Sequence, residues 1–280
     1  DVTAADNTAV TEDDTAADNA AATEDTSAVR TPETTVVNKV KATRSEPATY
    51  SARVEVDASM SVTDINTVIN GGGGTAAAPR LIVFTAGTYN LSAPIDLVDN
   101  VYLYFNDGTT VNCSSESYPA LRASENNTVT DATVDGGSFE NTASGYTNGA
   151  GLYNATNITI KNATFNSNNK NGIYVAGSTN IILDNCVTNS NGYCGIFFTD
   201  TSIGSITGCT ANSNASHNIY FKAITNAAFS NSTSTGSEDG IYVEGASSFS
   251  EFKGISVTGA TNNGMRFVGA STATLQNCTI

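Results

Sequence analysis

Apolar positions in this chain fall into columns. From Gly172 to Asn263 the sequence stacks in lines of about twenty-three residues, with phrases such as Gly172-Ile173-Tyr174-Val175 and Gly195-Ile196-Phe197-Phe198 at equivalent places. One apolar column runs Ile160, Leu183, Ile206, Phe229, Phe252, Leu275 at a constant step of twenty-three. A second, Ala163, Cys186, Cys209, Ser232, Ile255, Cys278, keeps the same step. A third, Asn162, Asn185, Gly208, Asn231, Gly254, Asn277, holds only Asn and Gly, which accept tight bends that β-branched residues resist. A short period with apolar positions in register marks a solenoid, whose repeats bury their inner faces only against one another.

The local pattern selects strands over helices. Segments such as Ile173-Tyr174-Val175 and Ile181-Ile182-Leu183 are short and bounded by Gly, Asn and Ser. No amphipathic helix fits within one period, and a leucine-rich consensus is missing. The expected fold is therefore all-β: a parallel β-helix with about three short strands per coil and a rise of about 4.8 Å per coil. Each large inward side chain contributes roughly 1.5–3 kcal/mol on burial, enough to hold the coils without disulfides.

One helix is expected ahead of the solenoid. Val62, Ile65, Val68 and Ile69 have helical spacing, Ser61 or Thr63 is placed to cap the start, and Gly71 to Gly74 end it. Such a helix would cover the open N-terminal end, since exposed sheet ends invite pairing. Residues 1–53 differ in kind. Acidic residues dominate up to Glu33 and large apolar ones are scarce, so this stretch reads as a disordered acidic linker. The β-helix domain is expected over 54–280. A chain opening at Asp1 rather than Met is expected to be a processed or trimmed form. The last line stops at Ile280 without a cap, so the domain is expected to be cut short there, with further repeats or domains beyond.

Composition narrows the partners. Net charge is −15, with one His and no Trp. An acidic surface disfavours nucleic acid, which needs basic patches. No apolar run reaches the roughly 18 residues of a membrane span. Of five cysteines, Cys186, Cys209 and Cys278 share a column with Ala, Ser and Ile, and read as small buried thiols. No zinc-ligand spacing occurs, and no cofactor is expected.

The stretch Leu81 to Cys113 reads strand, Ala86-Gly87-Thr88-Tyr89 turn, strand, Asp99-Asn100 turn, strand. It resembles the opening coil of the pectate-lyase-like superfamily, where a buried strand enters a Pro-x-Gly-x-Tyr type turn. The later Asn-Gly-Ile-Tyr phrases resemble the right-handed β-helix repeat of polysaccharide lyases, polygalacturonases and alginate epimerases. The resemblance covers about residues 54–280 and implies right-handedness, an extracellular or cell-surface location and a polysaccharide partner. It does not extend to catalytic motifs. The Asp-Pro-His-Glu of epimerases and the Asn-Thr-Asp, Asp-Asp, Gly-His-Gly and Arg-Ile-Lys blocks of polygalacturonases are missing. Glu238-Asp239-Gly240 is faintly similar to one block. Asp239, however, occupies the position of Asn171 and Asn263 and reads as a turn former.

The candidate site is an outward strand face. With Ile173 and Val175 inward, Tyr174 points out, and its equivalents are Phe197, Tyr220, Tyr242 and Arg266. The next outward column holds Lys222 and Glu244, and His217 opens the strand of Tyr220. Tyr174, Phe197, Tyr242 and Glu244 are candidate carbohydrate-binding residues, since aromatic faces stack on sugar rings. Lys222, Arg266, His217 and Tyr220 are candidate catalytic residues: cations neutralise uronate carboxylates, and a Tyr, Lys or His of lowered pKa removes a sugar proton. Calcium bridging through Glu244 or Asp239 would ease the approach of an acidic polysaccharide to an acidic chain. Three readings stay open: catalysis, glycan binding alone, and a structural stalk or adhesin segment whose outward tyrosines only stabilise the sheet.

Overall fold

A computed structural model describes residues 44–124, 126, 128–145, 147–269 and 271–280. Most of the expected acidic linker, residues 1–43, lies outside the described residues. Ser45–Ile280 forms one compact unit. Its first strand, Ala52–Val56, pairs in parallel with Arg80–Phe84.

The chain winds into a right-handed β-solenoid of about eight turns, with roughly twenty-three residues in each. One side is a ten-stranded sheet running from Ala52–Val56 to Leu275–Gln276. A second side is an eight-stranded sheet running from Ile95–Asp96 to Asn263–Val268. The third side is carried by a three-stranded and a four-stranded sheet, bridged through Thr164 to Ser138 and Val187. Among the described residues every pairing between strands is parallel, as expected of successive coils.

The columns behave as the spacing predicts. Ile160, Leu183, Ile206, Phe229, Phe252 and Leu275 are paired in register, one coil to the next. All are buried except Leu275 in the last coil. Phe84, Phe105, Phe139 and Phe165 form a second internal file, with ring centroids 4.1, 5.1 and 4.9 Å apart. The column of Asn162, Asn185, Gly208, Asn231, Gly254 and Asn277 takes φ between 49° and 62° throughout. That left-handed conformation turns each coil, and Asn and Gly tolerate it best.

The helix spans Val62–Ile69, with the Ser61 hydroxyl accepting from Asp64 N–H at 3.2 Å. Ile65 and Ile69 are fully buried in the same core cluster as the coils, so the helix closes that core. The five cysteines are free thiols; Cys278 is partly exposed and the other four are buried.

Asparagine also works inside the coils, which the turn reading does not anticipate. Asn168, Asn191, Asn214 and Asn218 are almost completely buried. Asn168 Nδ2 donates to Asn191 Oδ1 at 3.0 Å, Asn191 Nδ2 to Asn214 Oδ1 at 2.9 Å, and Asn214 Nδ2 to Asn218 Oδ1 at 2.7 Å. A side chain with both donor and acceptor extends such a file, and the Ser234 hydroxyl, accepting from Asn218 Nδ2 at 2.9 Å and donating to Gly240 O, carries it on; apolar neighbours would leave these groups unmet.

Candidate functional site

Five adjacent strands of the eight-stranded sheet build the face: Ile173–Ala176, Ile196–Thr199, His217–Lys222, Asp239–Glu244 and Asn263–Val268. Ile173, Ile196, Ile219 and Ile241 are fully buried inward. Strand alternation then turns Tyr174, Phe197, Tyr220, Tyr242 and Arg266 outward, and these five are direct register partners. Lys222 faces Glu244 in the neighbouring column. The sequence-derived residues thus share one surface, spread over four coil steps or roughly 19 Å.

The rings pack chiefly on one another. Phe197 and Tyr220 are stacked with centroids 4.2 Å apart, and Tyr220 and Tyr242 lie 4.8 Å apart at a tilt of 37°. The Arg266 guanidinium sits 5.0 Å from the Tyr242 centroid. Tyr174 meets Phe197 edge-on at 5.3 Å, with the Lys170 ammonium 6.0 Å from its centroid. Tyr220 is therefore sandwiched, and its flat faces are closed to a sugar. Tyr174 and Tyr242, at the ends of this file, are the less buried tyrosines, and each carries a cation.

The charged groups cluster at one end. Tyr220 donates its hydroxyl to Glu244 Oε2. Burial, and then this carboxylate, push the Tyr220 phenol well above its ordinary range, so it is a donor and not a base near neutrality. Asp239 is only 2% exposed, accepts from Asn263 Nδ2 at 2.7 Å and lies 3.7 Å from Arg266. His217 Nδ1 is 3.5 Å from Asp239 Oδ2, and this buried nitrogen has no hydrogen-bond partner among the described residues. His217 also packs against Tyr242, Tyr220 and Tyr193 at 4.7, 5.3 and 6.3 Å. Burial lowers its pKa against the opposing pull of Asp239 and Glu238, so the imidazole is neutral at pH 7.

The physical origin of this cluster is a broken asparagine column. Asn148 and Asn171 occupy equivalent places on successive coils, with Asn171 Nδ2 donating to Asn148 Oδ1 at 3.0 Å. Asn171 in turn accepts from Cys194 N–H. The column then continues with Cys194, His217 and Asp239 before returning to Asn263. A neutral amide would satisfy each of these buried places more cheaply than a carboxylate and an imidazole.

His217, Tyr220, Tyr242, Glu244 and Arg266 come together within three coils. Tyr174 and Phe197 stand farther along the same file. Lys222 is exposed and, among the described residues, forms no ion pair with Glu244. One member escaped the sequence reading, and another, offered there as a turn former or a calcium bridge, was not tied to His217. Asp239 read as a turn former but opens a strand, buried beside His217; its place in the column of His217 was the available signal. Lys170 lies in a loop, and nothing in the spacing marks it. Among the described residues no three His, Cys, Asp or Glu side chains converge as a metal cage. Glu244 and Asp239 are each engaged by protein donors.

Coil geometry and handedness define the class, a right-handed parallel β-helix. Residues 120–280, more than half of the chain, match the family model described as right handed beta helix region, and the chain belongs to that family. A search among curated proteins gives no match. Among solved structures, ORF18 of Geobacillus virus E2 is similar with a TM-score of 0.58 at 11% identity, covering 81% of this chain and 60% of that one. The A-module of Azotobacter vinelandii mannuronan C-5 epimerase AlgE6 gives 0.52 at 14% identity, covering 78% and 74%. The Dettilon tailspike protein gp208 gives 0.55 at 11% identity, covering 76% and 43%. These likenesses are of fold, and the chain spans 60% of the length of ORF18.

Proposed function

We propose that this domain is an extracellular or cell-surface module that binds an acidic polysaccharide, a polyuronate, on the face of Tyr174, Tyr242, Glu244 and Arg266. His217 gives it the means to act on the polymer. The observation that carries this is the buried His217–Asp239 pair, set in a column that also holds Asn148, Asn171, Cys194 and Asn263, beside a half-exposed Arg266. Arg266 is placed to neutralise a sugar carboxylate, which acidifies the adjacent C–H. Neutral His217 is the group best suited to accept that proton, with Asp239 stabilising the imidazolium formed. The printed name of one similar structure, a mannuronan C-5 epimerase module, fits a polysaccharide partner.

A second reading, glycan binding without chemistry or a purely structural face, draws on the closed ring faces of Phe197 and Tyr220. Titration of pectate, alginate and glycosaminoglycan polymers, followed by ultraviolet detection of unsaturated products and NMR detection of C5 inversion, separates the three. Binding with turnover that His217→Gln abolishes supports the full proposal. Binding without turnover leaves a lectin-like module. No binding to any acidic glycan leaves a stalk.

A further inference from the structure

The third side of the solenoid, made by the three-stranded and four-stranded sheets, has a surface of a different kind. One outward file runs from Thr88 through Thr110, Ser138 and Thr164 to Thr279, in register at every coil. Each member is Thr or Ser except Val187. A second file, two residues on, runs from Asn90 to Thr258 and is Asn or Thr except at Glu140. Tyr89, Phe139 and Val257, which lie between the files, are buried in the core, so both files point outward. In a chain of net charge −15, the two files hold one charged group and no aromatic ring, and from Thr164 onward no charge at all.

Neighbours along the files order these side chains. Asn166 Oδ1 accepts from Asn189 N–H at 2.7 Å, and Asn189 Oδ1 from Asn212 N–H at 3.0 Å. Thr233 donates to Thr210 Oγ1 at 3.2 Å, and the Thr235 and Thr258 hydroxyls lie 3.3 Å apart. A hydroxyl has one donor and two lone pairs, so each keeps bonding capacity for an outside partner. Thr233, Thr235 and Thr258 are exposed. A face that repeats once per coil suits a partner that repeats as well. It has no ring to stack on a sugar and, beyond Glu140, no charge to meet an ion. Water molecules bonded tetrahedrally at about 2.75 Å have second neighbours at about 4.5 Å. The coil step is about 4.8 Å. From Thr164 to Thr279 is five register steps, so the mismatch grows to only about 1.5 Å, under half a repeat. A charged group would hold its own hydration shell against such a lattice. We infer that this hydroxyl and amide face adsorbs to ice. The inference is independent of the polyuronate reading and uses a different side of the solenoid.

The test follows ice recrystallisation in an annealed frozen film, and the freezing–melting gap of single ice crystals, with the whole chain. The parent keeps crystals small and opens a gap. Thr233→Lys/Thr235→Lys, at two exposed positions, needs a several-fold higher concentration for the same effect, while Asp184→Ala on the ten-stranded sheet matches the parent. A circular dichroism spectrum like the parent's shows the coil intact; if the double variant fails that check, Thr258→Lys, exposed one coil on, takes its place with the same loss expected. A parent that leaves ice growth as a control protein leaves it overturns the inference. So does an ice effect that the lysines do not weaken. Sedimentation with powdered cellulose, or a dimer on a sizing column that the lysines dissolve, in place of any ice effect gives the face another occupant and overturns it as well.

Discussion

Asn191→Ala probes what holds the coils together. Asn191 is 2% exposed and sits mid-file. Its Oδ1 accepts from both Asn168 N–H and Asn168 Nδ2 at 3.0 Å, and its Nδ2 donates to Phe165 O at 3.1 Å and Asn214 Oδ1 at 2.9 Å. Truncation removes all four bonds. At about 0.5–1.5 kcal/mol each the loss is about 2–6 kcal/mol, a large part of the roughly 5–15 kcal/mol that stabilises a domain. With a urea m-value of about 3 kcal/mol/M, the midpoint followed by circular dichroism falls by about 0.7–2 M at unchanged slope. The control is Asn185→Gly on the outer file. Asn185 has φ 54° and donates to Asn162 Oδ1 at 3.0 Å in an exposed bond. Gly keeps that backbone conformation, so the change stays within about 0.5 kcal/mol. Equal midpoint shifts for the two variants would refute the reasoning, because they would show that the buried amides are no more stabilising than the exposed ones.

Leu183→Ala, fully buried in the inward column, should cost about 2–5 kcal/mol, against about 0.5 kcal/mol or less for its outward neighbour Asp184→Ala; reversed costs would place the inward face one residue off. His217 is the sole histidine, so its imidazole resonance reports one group. Its midpoint in an NMR titration should lie below the usual value of about 6.5, lower still in Asp239→Asn and higher in Arg266→Gln, since Asp239 raises it and Arg266 lowers it. Because the folded value is the lower one, the unfolded chain binds the proton first. The contribution of neutral His217 is complete above about pH 6.5 and is lost as pH falls through the window down to the folded value. A stability curve flat through that window would contradict the burial of this ring.

The fold was legible because a solenoid writes itself into sequence once per coil. The column of Ile160 and Leu183 and the left-handed column of Asn162 and Asn185 each carry one physical requirement at a fixed step, and repetition multiplies the signal. The helix was legible for a different reason, local spacing with a serine cap. The candidate site was legible only in outline. Alternation put Tyr174, Phe197, Tyr220, Tyr242 and Arg266 on one face, but it says nothing of ring orientation, and stacking closed Phe197 and Tyr220 to a ligand. Tyr220 as a base depended on its surroundings: burial, and then the adjoining Glu244, raises its pKa and leaves it a donor. Asp239 and the buried asparagines were misjudged together, since Asn and Asp serve equally in turns and in internal files. Only burial distinguishes the two uses.

The central claim is that Arg266 and its neighbours recognise uronate carboxylates on this strand face. Calorimetric titration of polygalacturonate and alginate at two salt concentrations, with the parent chain and Arg266→Gln, tests it most directly. The claim predicts saturable binding that weakens as salt shortens the Debye length, from about 10 Å at 0.1 M to about 3 Å at 1 M, and that falls several-fold in the variant. Binding indifferent to both salt and Arg266, or no binding to either polymer, would contradict it.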